Sequence, residues 1–111
     1  MAGDIFGVHG TALAIRSQRL QLLAGNIANA ATPNYKARDI DFGEAMRAAE
    51  AGDGVDAALR YRVPVSPSLD GNTVELATEQ TAFAEEAVQY RTTLAFLEGR
   101  VGTLTRALKG E

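Results

Sequence analysis

A seven-residue apolar repeat in the C-terminal third constrains the fold of this chain more than any other feature. From Leu76 to Leu108, seam positions recur in alternating steps of three and four residues, which is the pattern of a coiled coil. A narrow seam sustained over this length packs against another helix rather than into a broad core. We therefore predict a C-terminal helix with the seam Leu76, Gln80, Phe83, Ala87, Tyr90, Leu94, Leu97, Val101, Leu104 and Leu108.

The charges along this helix match its dipole. Glu75, Glu79, Glu85 and Glu86 lie in its first half, whereas its last turns carry basic residues such as Arg106. We interpret the acidic residues as a solvated face in preference to a surface that recognises a partner.

The N-terminal segment, residues 1–33, predicts a second long helix. Phe6, Leu13, Leu20 and Ile27 recur every seven residues, so one face of this helix is apolar. Other apolar residues widen the stripe beyond one face, and such a helix expects more than one neighbour. A pair of the two terminal helices within the chain is geometrically open, in either a parallel or an antiparallel arrangement.

A corner ends the first helix. Pro33 cannot donate the next helical hydrogen bond, and Asn34 is of a residue type that tolerates a left-handed backbone. These two residues therefore suit the central positions of a type II turn. The residues of the corner motif are Asn26, Ile27, Asn29, Thr32, Pro33, Asn34, Tyr35 and Lys36.

The middle segment, residues 34–73, begins with a short helix. Asp41 and Glu44 have the spacing of a capping box, and the helix is predicted to run to about Ala51 and stop at Gly52. The Gly52-Asp53-Gly54 turn that follows has too few acidic residues for a calcium loop, so no metal site is expected.

An extended stretch then leads to the last helix, which is assigned to residues 74–111. Apolar residues alternate from Leu59 to Val65 in a strand-like pattern, but the chain shows no second run to pair with it. This stretch is interpreted as an extended arm or as a strand completed by another molecule. Asn72 and Glu75 form a possible capping pair for the last helix, with Thr73 and Val74 as alternative boundaries. The predicted fold is therefore mainly α, with an extended and partly irregular middle segment.

Composition and motifs argue against several classes of function. The net charge is -3, and the eleven basic residues are scattered among fourteen acidic ones, so no nucleic-acid surface is expected. The chain has no cysteine, no apolar run long enough to span a membrane and no cleavable secretory signal. Its only histidine, His9, is interpreted as a surface or packing residue. Because no nucleophile, acid-base pair or phosphate loop was found, neither an enzymatic activity nor a cofactor is predicted.

Helices of this kind are stable chiefly through packing, so the pattern points toward assembly. We expect a subunit that becomes fully ordered only among its neighbours. A small helical coiled-coil adaptor or export chaperone is the alternative that the seam permits, although it leaves the corner motif unexplained.

Several motifs resemble the bacterial flagellar axial proteins. The N-terminal ones are Gln18-Arg19-Leu20, Asn26-Ile27-Ala28-Asn29-Ala30, the run from Thr32 to Asp39, and Asp41-Phe42. Within this family, the continuation Lys36-Ala37-Arg38-Asp39-Ile40-Asp41-Phe42 is most similar to proximal rod subunits. The stretch from Asp70 to Leu76 is similar to the one that leads into their terminal helix, whereas the middle segment is shorter than usual.

The resemblance implies a structural subunit of the flagellar basal-body rod. Such subunits pass through the flagellar type III export apparatus without signal-peptide cleavage. They polymerise helically into the hollow shaft that crosses the periplasm, transmits motor torque and conducts exported subunits. Implied partners are other copies of the chain, other proximal rod subunits, the adaptor that joins rod to ring, and the membrane-ring protein. A different rod or hook subunit is an alternative within the family.

The resemblance also assigns roles to residues. It implies that the terminal helices pair as a coiled coil through Leu13, Leu20 and Ile27 on one side and Leu94, Leu97, Val101 and Leu104 on the other. Asn26 and Asn29 are then interpreted as polar contacts that fix the register where subunits meet.

Overall fold

The fold is mainly helical, as predicted, with two long terminal helices and two short strands between them. The computed structural model describes residues 7–64 and 68–110, so Phe6 of the first apolar line and Val65 of the strand-like stretch lie outside the described residues. The elements are α1 (Gly7–Ala28), β1 (Arg38–Ile40), α2 (Phe42–Glu50), a 3-10 helix (Val55–Ala58), β2 (Leu59–Tyr61) and α3 (Leu76–Lys109).

Helices α1 and α3 pack against each other in an antiparallel pair. His9 stacks on Phe96 with ring centroids 4.4 Å apart, while Asn26, near the other end of α1, contacts Glu79 at the start of α3. Residue numbers thus rise along one helix as they fall along the other. The role of His9 as a packing residue is confirmed.

The two helices differ in length, and α3 extends beyond the described part of α1. α3 has 34 residues and α1 has 22, which correspond to about 51 Å and 33 Å at a rise of 1.5 Å per residue. The molecule is accordingly elongated, with principal extents of 64 × 27 × 18 Å.

The predicted seam of α3 is buried near its centre and exposed at its ends. Leu97 is buried, whereas Leu108 is 89% exposed. The half-buried seam residues are Phe83, Ala87, Tyr90 and Leu94. The exposed ones are Leu76, Gln80, Val101, Leu104 and Leu108.

On α1, the buried positions lie beside the predicted seven-residue line. Ile15, Leu23 and Asn26 are buried, and the half-buried residues of the line are Leu13, Leu20 and Ile27. Ile15 belongs to a small core with Ile40, Ala45 and Ala58. This core holds the middle segment against the outer side of the helix pair. The stripe on α1 therefore faces two neighbours.

The middle segment contains an antiparallel two-stranded sheet. Arg38 pairs with Tyr61 and Ile40 pairs with Leu59. The expectation that the stretch beginning at Leu59 has no partner in this chain was therefore wrong. Its partner, β1, is only three residues long and includes Asp39 in its middle, so it shows no strand pattern in the sequence.

Helix α2 forms largely as its capping signal predicts. The Asp41 side chain accepts a hydrogen bond from the backbone N–H of Glu44 at 2.9 Å, and the helix ends at Glu50, followed by Gly52 with a φ of 83°. In a capping box, the glutamate side chain would also accept from the N–H of Asp41. Here that N–H donates to the carbonyl of Ala58, and the Glu44 carboxylate pairs with Arg60 of the sheet.

The start of α3 differs from the prediction. Its N-cap is Glu75, whose side chain makes no capping hydrogen bond, so the boundaries at Thr73 and Val74 were wrong. The proposed capping pair of Asn72 with Glu75 was also wrong, because Glu75 is itself the N-cap and the side-chain oxygen of Asn72 accepts from the N–H of Val74. Within the described residues, no helix is both long and apolar enough to span a membrane.

Candidate functional site

The corner has the predicted turn. Asn34 adopts a left-handed backbone with a φ of 63°, and the N–H of Tyr35 donates to the carbonyl of Thr32 at 3.2 Å. Pro33 and Asn34 thus occupy the two central positions of a turn with positive φ at the second, as in type II. The expectation that the helix runs to Pro33 was wrong, because α1 ends at Ala28 and turns lead from there to the corner. The chain reverses at the corner because proline fixes its own φ and asparagine accepts the left-handed conformation.

Asn72 binds the turn that follows α1. Its buried side-chain amide donates to the carbonyls of Asn29, Ala30 and Thr32 at 2.9, 3.2 and 2.6 Å. Its oxygen accepts from the N–H of Val74 at 2.7 Å. These carbonyls follow Ala28, the last residue of α1, so one side chain from 40 residues away holds the turn that leads out of the helix.

Backbone hydrogen bonds join the same two segments. The N–H of Asn34 donates to the carbonyl of Asp70 at 2.8 Å, and the N–H of Thr73 donates to the carbonyl of Tyr35 at 2.9 Å. The Thr73 hydroxyl accepts from the N–H of Ala37 at 2.8 Å. We call residues 29–37 together with 70–74 the corner clamp. It unites the two motifs that the sequence singled out at opposite ends of the middle segment.

Further contacts hold the second half of the clamp in shape. The ammonium of Lys36 donates to the carbonyl of Gly71. The Asp70 carboxylate accepts from the N–H of Asn72 and from the hydroxyl of Ser68, and these hydrogen bonds hold the pKa of Asp70 below its ordinary value.

Asn26 connects α1 to the sheet and to α3. Its side chain donates to the carbonyl of Arg38 at 2.8 Å and accepts from the N–H of the same residue at 3.1 Å. It also donates to Glu79 at 3.0 Å and is fully buried. The interpretation of Asn26 as a contact between subunits was therefore wrong, because its polar atoms are used within the chain.

The Asn29 side chain is likewise occupied, although it is only half-buried. Its amide donates to the carbonyl of Gly25 at 2.8 Å, and its oxygen accepts from the hydroxyl of Thr32 at 3.0 Å. It therefore ties the end of α1 to the turn.

A continuous chain of ion pairs runs between α1, α3 and the sheet. Glu86 of α3 binds both Arg16 and Arg19 of α1, at 3.0 and 2.7 Å. Arg19 also forms a bidentate pair with Asp39 of β1 through Nε and Nη2, at 2.8 and 3.0 Å.

The chain continues from the sheet to the start of α3. Asp39 accepts from Arg62 at 3.0 Å, and Nε of Arg62 lies 3.1 Å from Glu79, an ion pair that lacks aligned hydrogen-bond geometry. We define the ion-pair chain as Arg16, Glu86, Arg19, Asp39, Arg62 and Glu79.

The charges within the ion-pair chain are balanced and largely removed from water. Glu79 and Glu86 are 0% and 2% exposed, and three arginines face three carboxylates. The hydrogen bonds of Arg19 to Asp39, and then to Glu86, raise the pKa of its guanidinium above the ordinary value, although burial acts in the opposite direction. Arg16 also lies over the ring of Phe42, 4.1 Å from its centroid.

The assignment of Glu79 and Glu86 to a solvated face was therefore wrong. Both lie one residue before a seam position, and they are seven residues apart. That spacing, matched by Arg19 and Asn26 on the other helix, was the available signal.

An apolar groove of about 470 Å³ lies between the first turns of α1 and the second half of α3. It is lined by Gly10, Leu13, Leu94, Leu97, Glu98 and Val101. The described residues contain no group of three or more histidine and acidic side chains placed to hold a metal ion.

Comparison with known proteins places the corner within a family match. The profile described as "Flagella basal body rod protein" matches residues 6–36, which span α1 and the corner turn. A protein of Cereibacter sphaeroides named flagellar basal body rod protein FlgB is 50% identical, with 97% of this chain and 96% of the relative aligned. The chain belongs to the FlgB family of flagellar basal body rod proteins.

More distant FlgB relatives also align along most of their length. The FlgB protein of Aeromonas hydrophila is 38% identical over 96% of this chain and 93% of its own, and that of Escherichia coli K12 is 38% identical over 88% of each. The family consists of structural rod proteins rather than enzymes. The match to the family profile ends at Lys36, inside the corner clamp.

Proposed function

We propose that this FlgB-family chain is a subunit of the proximal rod that polymerises helically into the hollow shaft of the flagellum. The shaft transmits motor torque and conducts exported subunits. The alignment with FlgB of Cereibacter sphaeroides over nearly the full length of both chains carries this proposal.

The exposed end of α3 supports polymerisation. The seam continues past the described part of α1 through Val101, Leu104 and Leu108, all exposed in the single chain. Apolar seam residues at heptad spacing pack against another helix, and neighbouring subunits would supply one. The groove at Leu13 and Leu97 lies next to this seam and would extend the same contact.

Residues 1–33 and 74–111 then form the rod core, and residues 34–73 project from it. The corner clamp directs the chain out of the core at Pro33 and returns it at Thr73. The partners would be other copies of the chain, other proximal rod subunits, the rod-to-ring adaptor and the membrane-ring protein. Its route to the periplasm would be the flagellar type III export apparatus, without a cleavable signal peptide.

Deletion of the gene and recovery of basal bodies test this function. We expect the deletion strain to lose swimming in soft agar, and a plasmid copy to restore it. An epitope-tagged copy that supports swimming should be retained in purified hook-basal bodies. Cytoplasmic proteins in the same preparation serve as the control for purity.

The alternative of a helical adaptor or export chaperone makes the opposite prediction. Such a protein would remain in the soluble fraction and be absent from washed basal bodies. That result, or normal swimming of the deletion strain, would contradict a role as a rod subunit.

A further inference from the structure

The apolar surfaces of the two long helices do not by themselves select one alignment. Leu13, Leu20 and Ile27 repeat every seven residues on α1, and Phe83, Tyr90 and Leu97 repeat at the same interval on α3. Sliding one helix by seven residues along the other exchanges one apolar side chain for another. Several registers would therefore bury similar apolar areas.

We propose that the ion-pair chain sets the antiparallel register of α1 and α3. In the structure, Arg19 faces Glu86 and Asn26 faces Glu79. The two pairs lie seven residues apart on each helix, so both report the same alignment. The two carboxylates are buried, so each needs its partner in this alignment.

A slip in one direction takes Arg19 away from Glu86. If α1 moves by seven residues so that Arg19 faces Glu79, the position opposite Glu86 is occupied by Ala12. Alanine has no polar group to offer the carboxylate. A buried charge without a partner is among the most destabilising features a packed interface can have.

A slip in the other direction leaves Glu79 without a partner. Asn26 would then face Glu86, and Arg19 would face Thr93. Glu79 would lie opposite Pro33, beyond the end of α1, and no donor from this helix would reach it.

The sheet reports the same alignment independently of the helices. Asp39 holds Arg19 of α1, and Arg62, which also binds Asp39, reaches Glu79 of α3. Asp39 lies in the sheet and Arg62 lies next to it. The ion pairs of these two residues therefore join α1 to α3 only in the observed register.

Cysteine cross-linking measures this register directly, because the chain has no cysteine of its own. His9→Cys is combined in turn with Phe96→Cys, Gln89→Cys and Thr103→Cys, and a short thiol-reactive cross-linker is added to the purified full chain. The first pair reports the observed register, in which residues 9 and 96 are in contact. The other two report slips of seven residues in either direction.

The key variant is Glu79→Leu with Glu86→Leu, and the matched control is Glu85→Leu with Glu98→Leu, which removes two exposed carboxylates from the same helix. In the unmodified background and in the control, we expect the 9–96 cross-link to exceed the other two by about tenfold or more. In the key variant, the cross-link should spread over all three pairs while the helical circular dichroism is retained. A persistent preference for 9–96 would overturn the proposal.

Two further variants separate the ion-pair chain from other causes. Asn72→Ala breaks the corner clamp and should leave the 9–96 preference unchanged; its loss would assign the register to the clamp instead. Glu79→Leu with Thr93→Glu moves the two acids to positions 86 and 93, and the main cross-link should move to 9–103. If the key variant loses its helical signal, the variant with Glu79→Leu and Thr93→Glu is the deciding test. A main cross-link that stays at 9–96 in that variant would refute the proposal.

Discussion

At the scale of single residues, the corner clamp depends on a close approach between Asn34 and Gly71. Both have a positive φ, 63° and 75°, so two left-handed residues from distant parts of the sequence lie side by side. A Cβ atom built on Gly71 would clash with the side-chain oxygen of Asn34. Glycine is therefore required here for its backbone conformation and for the absence of a side chain.

We predict that Gly71→Ala destabilises the protein by more than the strain of a positive φ alone, which is about 1 to 2 kcal/mol. The added methyl group must also displace the side-chain oxygen of Asn34, and it contacts the Cγ of Asn34 at 3.4 Å. Urea unfolding followed by circular dichroism measures the loss.

Gly52→Ala is the matched control, because Gly52 has a φ of 83° and nothing within 4 Å of a built Cβ. It incurs the backbone strain without the clash. Equal losses of stability in the two variants would contradict the prediction.

The same scale explains why Asn72 was misassigned. Its position shortly before the last helix is typical of a capping residue, and Glu75 follows at capping-box spacing. The carbonyls that it binds belong to Asn29, Ala30 and Thr32, and nothing in the local sequence indicates contacts at that separation. The two motifs were visible in the sequence, but their meeting was not.

At the scale of elements, local signals predicted the helices and long-range pairing decided the rest. The seam predicted α3 to within one residue of its last residue, Lys109, and the capping signal at Asp41 located α2. The strand β1 was missed because three residues with Asp39 at the centre carry no alternation. It is stabilised by Asn26 on one side and β2 on the other.

The ion-pair chain shows the same limit in another form. Charge on a helix is most often solvated, and burial of Glu79 and Glu86 becomes evident only once α1 is placed beside α3. Of the corner motif, the turn at Pro33 and Asn34 was predictable, because proline and asparagine act on the backbone locally. The partners of Asn26 were not.

Helix α2 offers a prediction at this scale. Asp41→Ala removes the only side-chain cap recorded for a helix of nine residues, and we expect a loss of about 1 kcal/mol in the free energy of unfolding. The effect should appear in urea unfolding of the purified chain.

Asp41→Asn is the conservative control, because its side-chain oxygen can still accept from the N–H of Glu44. It should retain most of the stability. If both variants lose the same amount, the charge of Asp41 rather than its capping hydrogen bond is responsible, and the prediction fails.

At the scale of the whole molecule, the two ends of the helix pair have different characters. At one end, the corner clamp and the ion-pair chain satisfy polar groups within the chain. At the other end, the last turns of α3 carry exposed apolar residues of the seam, including Leu104 and Leu108. The first end is therefore held by polar contacts within the chain, whereas the second presents the kind of surface that a neighbouring helix buries.

Two leucines of the seam distinguish a contribution to folding from a contribution to assembly. Leu97 is 6% exposed and Leu108 is 89% exposed. Leu97→Ala should lower the stability of the isolated chain by about 2 to 5 kcal/mol, because it opens a cavity between the helices. Leu108→Ser should change that stability by no more than about 0.5 kcal/mol, since the side chain is already in water.

In the cell, the order of the effects should differ if the end of α3 contacts neighbouring rod subunits. Leu108→Ser should then impair swimming in soft agar and reduce the amount of chain in purified basal bodies, despite its normal stability. Thr105→Ser, an exposed change in the same last turns, is the control and should swim normally. Normal swimming of the Leu108→Ser strain would show that the exposed seam at Leu108 is not needed for contacts between rod subunits.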